Sequence, residues 1–443
     1  MRMTLREVQA RNVSDVIVAL ALFRPGPLKG GLKDAFVRRH LGQEGASYLH
    51  PALEPILRES HGVILYQEQV LRIAHEIAGF TLGEADLLRR AMSKKSEREM
   101  ARLREQFIGG AVKTSELDPA IAEELWELMA AFAGYGFPKA HAVGYAAVAY
   151  RMAYLKTHYP AHFMAARLAV WGGYYAPVVY MSEARRLGLT VKPPHVNHSE
   201  EAFTLEEPRT LWMGLGQVRE LTRATIESMV SHRPFASLED FLVRAQPLHA
   251  EAVNLVKAGA LDGLGYAKAM LAVLEQAPWH GRHTSQMSLI FAAPPSGALE
   301  PALHERAAWE RDVLGMLVGV HPLQLVAEDL ARHDVTRSDQ LSAHADREVT
   351  VAGVRLAAHR FSGRQEEPML LVDMEDEAGT YQVLWSGAAL GQHRAILSHQ
   401  GPVLIRGRVR TDRQGSVIVV GHDAARVEED SNPSRGSPAY TTL

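Results

Sequence analysis

The amino-acid sequence predicts a multidomain α+β fold, with a helical region first, short helices next and a small β-barrel after them. The chain has 443 residues, which is too long for one ordinary domain and indicates roughly two to four folding units. The hydrophobic pattern has a helical period up to about residue 171. After Asp346 it changes to short β-branched runs of strand length.

Composition narrows the class of protein. With 47% hydrophobic and 22% charged residues, the chain is typical of a soluble globular protein. Its net charge of -3 means that any nucleic-acid surface has to be a local patch. The absence of cysteine excludes disulfides, thiolate metal sites and a cysteine nucleophile. Because it has neither a secretory pattern nor roughly 18 unbroken apolar residues, the sequence predicts a cytoplasmic protein without membrane contact.

Two stretches of the helical region place apolar residues at positions i, i+3, i+4 and i+7. This spacing predicts one buried stripe on each helix. The residues of the two stripes are Val70, Ile73, Ala74 and Ile77, and Leu125, Leu128, Met129 and Phe132. Glycine and proline are expected to interrupt the helices at 24–27, 79–83 and 134–146.

The middle of the chain predicts short helices separated by tight turns. Residues 201–280 show this pattern, with glycine-rich turns between the helical segments. The stretch AAPPSGALE at 292–300 indicates a linker. Helical pattern returns at 301–345, and His321 and Pro322 are expected to end it.

The last part of the chain predicts a small closed or partly closed barrel. Five β-branched runs of strand length fall within it, and turns at 377–379 and 412–415 favour hairpins. The polar residues 428–443 are expected to fray. The five runs are 349–356, 369–374, 380–385, 402–411 and 415–420.

One basic run is a candidate phosphate-binding face. LLRRAMSKK contains Arg89, Arg90, Lys94 and Lys95, and residues four apart such as Arg90 and Lys94 share a helical face. Such a face suits phosphate oxygens. A solvated helix surface is the common alternative for charge runs, and it stays open.

GYGFPKAHAVGYA, residues 134–146, is more specific. Glycines let the backbone approach a ligand, Tyr135 and Phe137 offer rings for base stacking, and Lys139 and His141 stand nearby. This combination suits a nucleotide contact. The alternative is a helix corner with both rings in the core and Lys139 in solvent.

YQEQV, residues 66–70, places two amides and a carboxylate on the first turn of a predicted helix. The amides of Gln67 and Gln69 can contact a base or a sugar. Polar and acidic residues early in a helix also suit the helix dipole, so both interpretations remain.

Common catalytic and metal motifs are missing from the sequence. It contains no G-x-S-x-G, no H-E-x-x-H and no G-x-x-x-x-G-K-[ST]. The acidic cluster at 373–376 precedes a predicted hairpin, so a turn explains it better than a metal pair. We therefore predict no catalytic and no metal-binding residue in this chain.

A short apolar peptide precedes the predicted linker. Its residues are Gln286, Met287, Ser288, Leu289, Ile290 and Phe291. Apolar clusters beside linkers are typical of docking peptides, and the alternative is an ordinary strand or helix end in the core.

Taken in order, these stretches resemble the C-family bacterial DNA polymerases, the polymerase III alpha subunits and their error-prone relatives. The resemblance covers nearly the whole chain, and it is carried by LFRPGPLKGGLKDAFVRRH, GVILYQEQVLRIAHEIAGFTLGEADLLRRAMSKK, FAGYGFPKAHAVGYA, YLKTHYPAHFMAA and NHSEEAFTLE. Pro138, the NHSEEAFTLE block and GLGQVRELTRATIE look most like the error-prone branch.

The resemblance implies five segments. Residues 1–195 would be the helical fingers region, 196–280 a helix-hairpin-helix and clamp- and DNA-binding domain, and 281–345 a clamp-binding peptide, linker and helices. Residues 346–427 would be an OB-fold, and 428–443 a flexible tail. The resemblance also implies a set of nucleotide- and DNA-binding residues, namely Arg24, Gln67, Gln69, Arg89, Arg90, Lys94, Lys95, Tyr135, Phe137, Lys139 and His141.

Two further binding surfaces follow from the resemblance. Residues 286–291 would dock on the sliding clamp, and the OB-fold would bind single-stranded DNA. The residues implied for the single strand are Arg355, Arg360, Arg364, Trp385, Arg406, Arg408 and Arg410, with a core position as the alternative for Trp385. Glu220-Leu221-Thr222 replaces the Gly-x-Gly usual at a hairpin of this family. A carboxylate there would repel phosphate, so weak duplex binding is expected at this hairpin.

In the family, magnesium is held by carboxylates of a palm domain, which we expect to lie upstream of residue 1. The resemblance therefore implies part of an error-prone polymerase for translesion or repair synthesis, with DNA and deoxynucleoside triphosphate as substrates. It would be inactive alone and would depend on a palm-bearing partner for magnesium. The alternative is a noncatalytic adaptor that binds the clamp and single-stranded DNA. A helical RNA-binding protein with an OB-fold is a third interpretation.

Overall fold

A computed structural model describes residues 1–23, 31–94, 97–132, 137–170, 172–206, 208–276, 300–362, 367–411 and 417–427. The chain divides into two compact units, Met1–Thr157 and His158–Leu443. The first unit is helical, and the second combines helices with two β-sheets. The predicted α+β fold class is therefore confirmed.

Helices make up the first unit. Helix α5 continues as a π-helical turn at Ile73–Ile77. The helices are α1 Arg2–Glu7, α2 Val13–Leu22, α3 Leu32–His40, α4 Glu54–Leu57, α5 Gln67–Arg72, α6 Leu82–Lys94, α7 Glu97–Ser115, α8 Pro119–Phe132 and α9 Lys139–His158.

Apolar stripes of α5 and α8 build one core of this unit. All four residues of the predicted stripe at 70–77 are buried, which confirms it. In α8, Leu125 and Met129 are buried but Leu128 is 37% exposed, so its predicted core position is wrong. Trp126 is buried instead, with its ring 5.6 Å from that of Phe107.

The second unit begins with helices and a small three-stranded sheet. Strand β3 lies in the middle of this sheet, parallel to β1 and antiparallel to β2. The strands are β1 Thr190–Lys192, β2 Thr204–Glu206 and β3 Thr210–Trp212. The helices are α10 Pro160–Ala169, α11 Pro177–Arg186, α12 Arg223–His232, α13 Leu238–Ala245, α14 His249–Lys257, α15 Ala267–Gln276, α16 Leu303–Leu314 and α17 Ala327–Leu330.

The end of α16 differs from the prediction. We expected His321 and Pro322 to stop the helix, but it ends at Leu314, and Gly315 follows with φ 71°. A left-handed residue after the last turn favours glycine, which explains the earlier end. His321 instead caps the short 3-10 helix Pro322–Val326, where its Nδ1 accepts a hydrogen bond from the Leu323 amide at 3.2 Å.

The second sheet is a closed barrel with strand order β4-β5-β6-β8-β7. A parallel pairing of Val383 with Val419 joins β6 to β8 and helps to close it. Helix α18 lies between β6 and β7 and was not predicted. The elements are β4 Glu348–Ser362, β5 Pro368–Glu375, β6 Thr380–Ser386, α18 Gly387–Leu397, β7 Val403–Thr411 and β8 Val417–Arg426.

The predicted turn at 377–379 is present. Asp376 Oδ1 accepts hydrogen bonds from the amides of Ala378 at 2.9 Å and Gly379 at 2.8 Å. Its carboxylate also accepts from the amide and hydroxyl of Ser338, both at 2.6 Å. Asp376 is thus used by the turn, as the sequence favoured. Across the part of the chain that the structure describes, no helix is long and apolar enough to cross a membrane.

Candidate functional site

The first unit brings two of the predicted binding stretches together at the start of α5. Tyr66 and Phe137 form a parallel β-bridge. The Gln67 amide donates to the Phe137 carbonyl at 3.1 Å. The Lys139 amide donates to both carboxylate oxygens of Glu68 at 3.0 Å. Glu68 therefore caps the positive end of α9, where a carboxylate is favoured.

Lys139 itself is held by protein groups. Its Nζ lies 2.5 Å from Glu59 Oε2, and both side chains are partly exposed. The same Nζ lies 5.6 Å from the ring centroid of Tyr66. Burial raises the pKa of the Tyr66 hydroxyl, and the nearby carboxylates of Glu59 and Glu68 add to this shift. An anionic ligand at this corner would compete with Glu59 for the lysine.

Two predicted arginines on α6 share one carboxylate. Arg89 contacts Asp86 Oδ1 at 2.8 Å and Arg90 contacts Asp86 Oδ2 at 2.8 Å. The hydrogen bond from Arg89 is the main reason that the pKa of Asp86 lies below its ordinary value. Arg89 Nη1 also donates to Gln67 Oε1 at 3.3 Å. The basic face of α6 is thereby joined to the start of α5.

Gln69 and Phe137 do not have the predicted ligand-binding role. The Gln69 side chain is 2% exposed. Its Oε1 accepts from the amides of Leu65 at 2.8 Å and Tyr66 at 3.0 Å, and its Nε2 donates to Ser60 Oγ at 2.7 Å. Phe137 is buried in a core cluster. Neither side chain can reach a nucleotide, because each is enclosed by its own unit, so both predictions are wrong.

The remaining predicted residues of this corner are only partly described. His141 is exposed, and its ring centroid lies 5.4 Å from that of Phe137 and 4.4 Å from that of Tyr145. Arg24, Lys95 and Tyr135 lie outside the described residues. Lys94 is the last residue of α6, and its side chain also lies outside the described part. The predicted clamp peptide, 286–291, is outside as well.

Three predicted arginines form a row on the outer surface of β7. Arg406, Arg408 and Arg410 are exposed and alternate with buried residues. Arg408 Nε lies 3.2 Å from Glu348 Oε1, and Arg410 Nη1 lies 2.7 Å from Asp346 Oδ1. The row is therefore basic, with acidic partners beside two of its three members.

Arg406 borders a pocket of about 200 Å³ on the barrel. Arg426 is a second cation at this pocket, and Asp329 and Asp423 also line it. The pocket therefore has mixed charge, and it extends the basic row toward the end of β8.

Other predicted barrel residues have different positions. Arg355 is half-buried, and its Nη1 donates to the carbonyl of Leu397 at the end of α18 at 3.2 Å. Arg360 is exposed near the end of β4, and Arg364 lies outside the described residues.

Trp385 does not provide a stacking surface for DNA. Its side chain is 0% exposed and belongs to the core of the barrel. A Cβ at Gly421 would lie 2.7 Å from Trp385 Cζ2, so the glycine leaves room for the indole. The predicted single-strand contact is wrong, and the core alternative holds.

The outward side chains of β5 and β6 differ in kind from the arginine row of β7. These are the second and third strands of the barrel, which form the usual ligand face of OB-folds. Among the described residues, their outward positions include Met369, Leu371 and Leu384, next to Phe361 of β4. Asp373 is the charged outward residue, and its Oδ2 lies 3.3 Å from His359 Nε2. With Gln382 beside Asp373, this face is mixed in polarity, and the arginine row lies elsewhere, on β7, which pairs with β4 and β8.

The hairpin before α12 is closed by a buried carboxylate that sequence reasoning missed. Glu251 Oε1 accepts from the Thr222 amide at 2.9 Å, and its Oε2 accepts from the Leu248 amide and the Thr225 hydroxyl, both at 2.7 Å. Burial alone would raise the pKa of Glu251, but these hydrogen bonds outweigh it and lower the pKa. The signal in the sequence was a glutamate three residues into the turn that begins α14, as in a capping box. Glu220 is exposed at this hairpin, with φ 59°.

The structure thus combines a helical corner, a module of short helices and a closed barrel in one multidomain chain. Residues 1–115 match the model of the bacterial DNA polymerase III alpha subunit finger domain, and residues 188–271 match a helix-hairpin-helix motif.

The curated relatives that the chain matches are named as DNA polymerases. A DNA polymerase III subunit alpha of Vibrio cholerae is 33% identical over 93% of this chain and 38% of its own length. One of Pseudomonas aeruginosa is 34% identical over 93% and 39%. An error-prone DNA polymerase of Corynebacterium glutamicum is 33% identical over 98% and 41%. The chain belongs to the C-family bacterial DNA polymerases, the family of the polymerase III alpha subunit.

The chain spans about two fifths of the length of the curated relatives that it matches. The identities to alpha subunits and to error-prone polymerases are equal within one percentage point. Overall identity therefore does not separate the two branches. Among solved structures, an aspartyl-tRNA synthetase from Entamoeba histolytica has a TM-score of 0.19 and 18% identity over 23% of this chain. Similarity at that level carries no argument.

Proposed function

We propose that this chain supplies nucleotide, DNA and sliding-clamp binding to an error-prone DNA polymerase, in the cytoplasm. The observation that carries the proposal is the corner where α5, α6 and α9 meet within the region matched to or adjoining the finger domain. It gathers Lys139, Arg89 and Gln67 around the start of α9. A helix N-terminus beside a lysine and an arginine is suited to the phosphates of a nucleotide.

Protein carboxylates at this corner do not prevent such binding. Exposed ion pairs such as that of Lys139 with Glu59 contribute only about 0 to 1 kcal/mol. A triphosphate brings several charges to the same place and also gains from the helix dipole. We therefore expect the triphosphate to displace Glu59 from Lys139 and to retain Arg89 as a second contact.

Nucleotide joining by a polymerase uses magnesium ions held by carboxylates. The described residues contain no group of three or more acidic or histidine side chains that could hold a metal ion. In the 373–376 cluster, Asp376 is used by the turn and Asp373 accepts from Gln382 Nε2 at 2.7 Å. The proposal places magnesium in the palm of the complete enzyme, supplied here by a palm-bearing partner, because the resemblance to C-family polymerases implies it.

Single-stranded DNA is the ligand proposed for the basic row of β7. Arg406, Arg408 and Arg410 lie at alternate positions of one strand, so they face the same side of the barrel. Removing the charges of Arg408 and Arg410 is expected to weaken binding of an oligonucleotide. It should also lower the dependence of affinity on salt, by about 0.7 in the logarithmic slope for each phosphate that the variant no longer neutralises.

The sliding clamp is the partner proposed for residues 286–291. Leu289 and Phe291 are its apolar anchors, as docking peptides typically have. Changing both to alanine should abolish binding to the clamp, measured by surface plasmon resonance. An unchanged affinity would remove this assignment.

The experiment that tests the nucleotide site is chemical protection of Lys139. The chain is reductively methylated with primed template, with and without deoxynucleoside triphosphate, and modification at each lysine is measured by mass spectrometry. We expect triphosphate to protect Lys139 while leaving Lys156, farther along the same helix, unchanged. Equal modification of Lys139 in both samples would contradict the nucleotide site.

A noncatalytic adaptor that binds the clamp and single-stranded DNA is the second candidate. The observation that favours it is that Gln69 and Phe137, two of the predicted nucleotide contacts, are enclosed in the fold. An adaptor would bind the clamp and the oligonucleotide but would show no protection by triphosphate. The same experiment therefore separates the two candidates.

A further inference from the structure

Helix α9 is apolar on several sides, yet most of its apolar side chains are exposed. Of its residues, only Ala142 and Ala146 are buried. Helices that are hydrophobic all round normally lie inside a larger protein. The core clusters of the described part of Met1–Thr157 include Ala142 of this helix but none of its exposed apolar residues.

Four of its exposed residues form a continuous seam. Tyr145, Val148, Met152 and Leu155 are 61%, 55%, 45% and 47% exposed. Their spacing of three, four and three residues is that of the contact positions in a coiled coil. The seam is about 15 Å long at the helical rise per residue. Single exposed apolar residues are ordinary, whereas an aligned row of four indicates a surface that another protein covers.

A protein helix fits this seam better than a nucleic acid does. None of the four side chains carries a charge, whereas a nucleic-acid groove needs cations along its length. Heptad spacing matches the side-chain packing of a partner helix. The seam also begins six residues after Lys139, so a partner on it would lie next to the proposed nucleotide corner.

We propose that the seam of Tyr145, Val148, Met152 and Leu155 is the docking face for an apolar helix of the palm-bearing partner. This inference rests on the proposed function. The relatives are more than twice as long as the part that this chain matches, so they contain enough further polypeptide to provide such a helix. A partner helix docked there would lie near the triphosphate proposed to bind at the start of α9.

The test is a binding measurement with matched variants. The full chain is mixed with the palm-containing portion of the Vibrio cholerae alpha subunit, and Kd is measured by isothermal titration calorimetry. The seam variant combines Val148→Gln, Met152→Gln and Leu155→Gln. The control combines Val143→Gln and Tyr150→Gln, which are 41% and 44% exposed and lie about half a turn away from the seam.

The seam variant should bind at least about a hundredfold more weakly, because three apolar side chains lose their burial. The control should stay within about threefold of the unchanged chain, a difference below 1 kcal/mol. Circular dichroism melting checks that both variants fold. Amide hydrogen exchange provides a second readout, with protection of residues 145–155 expected on mixing. Unchanged affinity of the seam variant, equal weakening in both variants, or no complex with the unchanged chain would each overturn the proposal.

Sedimentation of the chain alone and primer extension separate the docking face from its alternatives. If the chain alone sediments as a dimer that the seam variant dissociates, the seam belongs to a second copy and the partner assignment is overturned. Primer extension is measured separately on the same mixtures. Seam-dependent docking without extension would contradict the proposed function and leave the docking face standing. Extension that survives the seam variant would contradict the docking face and leave the function standing.

Discussion

Lys139, the proposed phosphate contact, is held by two carboxylates in the structure. Its ammonium group contacts Glu59, and its amide contacts Glu68. In the proposed function, a phosphate would replace Glu59 at the ammonium group. The two contacts keep the lysine oriented at the start of α9, and Glu59 is also a competitor that the ligand must displace.

Glu59→Gln tests this competition directly. Because the variant removes the charge that holds Lys139, we expect triphosphate affinity to increase by about two- to fivefold, the scale of an exposed ion pair. Glu54→Gln is the matched control, because Glu54 pairs with Arg58 on the neighbouring surface. Titration with a fluorescent triphosphate measures both. A weaker affinity in Glu59→Gln would show that Glu59 assists the ligand instead of competing with it.

Glu375 is a buried carboxyl at the end of β5. Its Oε1 lies 4.0 Å from Arg185 Nη1 of α11. Burial raises the pKa of Glu375 above its ordinary value of 4.5, and the Ser182 hydroxyl and Arg185 offset this only in part. A carboxyl with a raised pKa in the folded state costs stability once the pH rises above its unfolded pKa.

We therefore expect Glu375→Gln to increase the free energy of unfolding at pH 7. The gain should shrink as the pH falls and should be absent below about pH 4.5, where the carboxyl is protonated in both states. Urea unfolding at several pH values measures this. Glu377→Gln, two residues away and exposed, should show no such gain. A decrease of stability in Glu375→Gln at pH 7 would mean that the ion pair with Arg185 outweighs the burial.

Residue roles were predicted less well than residue positions. The sequence singled out the stretches at 66–69 and 137–141 as candidate binding residues, and the structure brings them together. It could not show that Gln69 faces Ser60 or that Trp385 faces Gly421, because burial depends on partners far away in the chain. Local spacing identifies a chemical group, whereas tertiary packing decides whether a ligand can reach it.

In helix α7, one of two neighbouring glycines is closely packed and the other has open space beside it. A Cβ on Gly110 would lie 2.1 Å from the carbonyl oxygen of Ala78, whereas one on Gly109 meets nothing within 4 Å. The helix therefore crosses the end of the π-helical turn with backbone contact at Gly110. Alanine at that position forces the two segments apart.

We expect Gly110→Ala to lower the free energy of unfolding by about 1 to 3 kcal/mol, the usual cost of overpacking. Gly109→Ala should raise it by about 0.5 to 1 kcal/mol, because alanine favours the helix and the site is open. Denaturant titrations of the two variants measure both signs. Equal effects in the two variants would contradict the close packing at Gly110.

The hairpin before α12 depends on one carboxylate. Glu251→Gln should destabilise the chain by about 1 to 3 kcal/mol at pH 7, because one of its acceptors becomes a donor facing amide N–H groups. The lowered pKa of Glu251 means that its contribution is present above pH 4.5 and is lost as the pH falls through the folded pKa. Glu227→Gln, on an exposed pair with Arg223, is the control. A penalty that persists unchanged at low pH would contradict the ionised form of Glu251.

The sequence predicted helices and strands correctly where the apolar residues recurred with a strong period. The stripe at 70–77 and the five barrel strands are in this class. Helix α18 was missed because GAALGQHRAIL has two glycines and a weak apolar pattern. Helix α18 lies beside β8, and its Ile396 and Leu397 pack with the barrel core. A short stretch of sequence shows neither of these contacts.

For the whole molecule, the two units carry different parts of the proposed function. Met1–Thr157 contains the nucleotide corner and the docking seam. His158–Leu443 contains the helix-hairpin-helix match, the barrel with its arginine row and the predicted clamp peptide. The proposed substrate-binding groups are thus distributed over both units.

Primer extension is the measurement that tests this account most directly. The purified full chain is incubated with primed template, deoxynucleoside triphosphates and magnesium, alone and together with a palm-bearing polypeptide. We predict no extension by the chain alone, and extension in the mixture that falls by at least about tenfold when Lys139 is changed to alanine, as expected when a charged group no longer reaches phosphate. Extension by the chain alone, or a mixture that is indifferent to Lys139, would contradict the account.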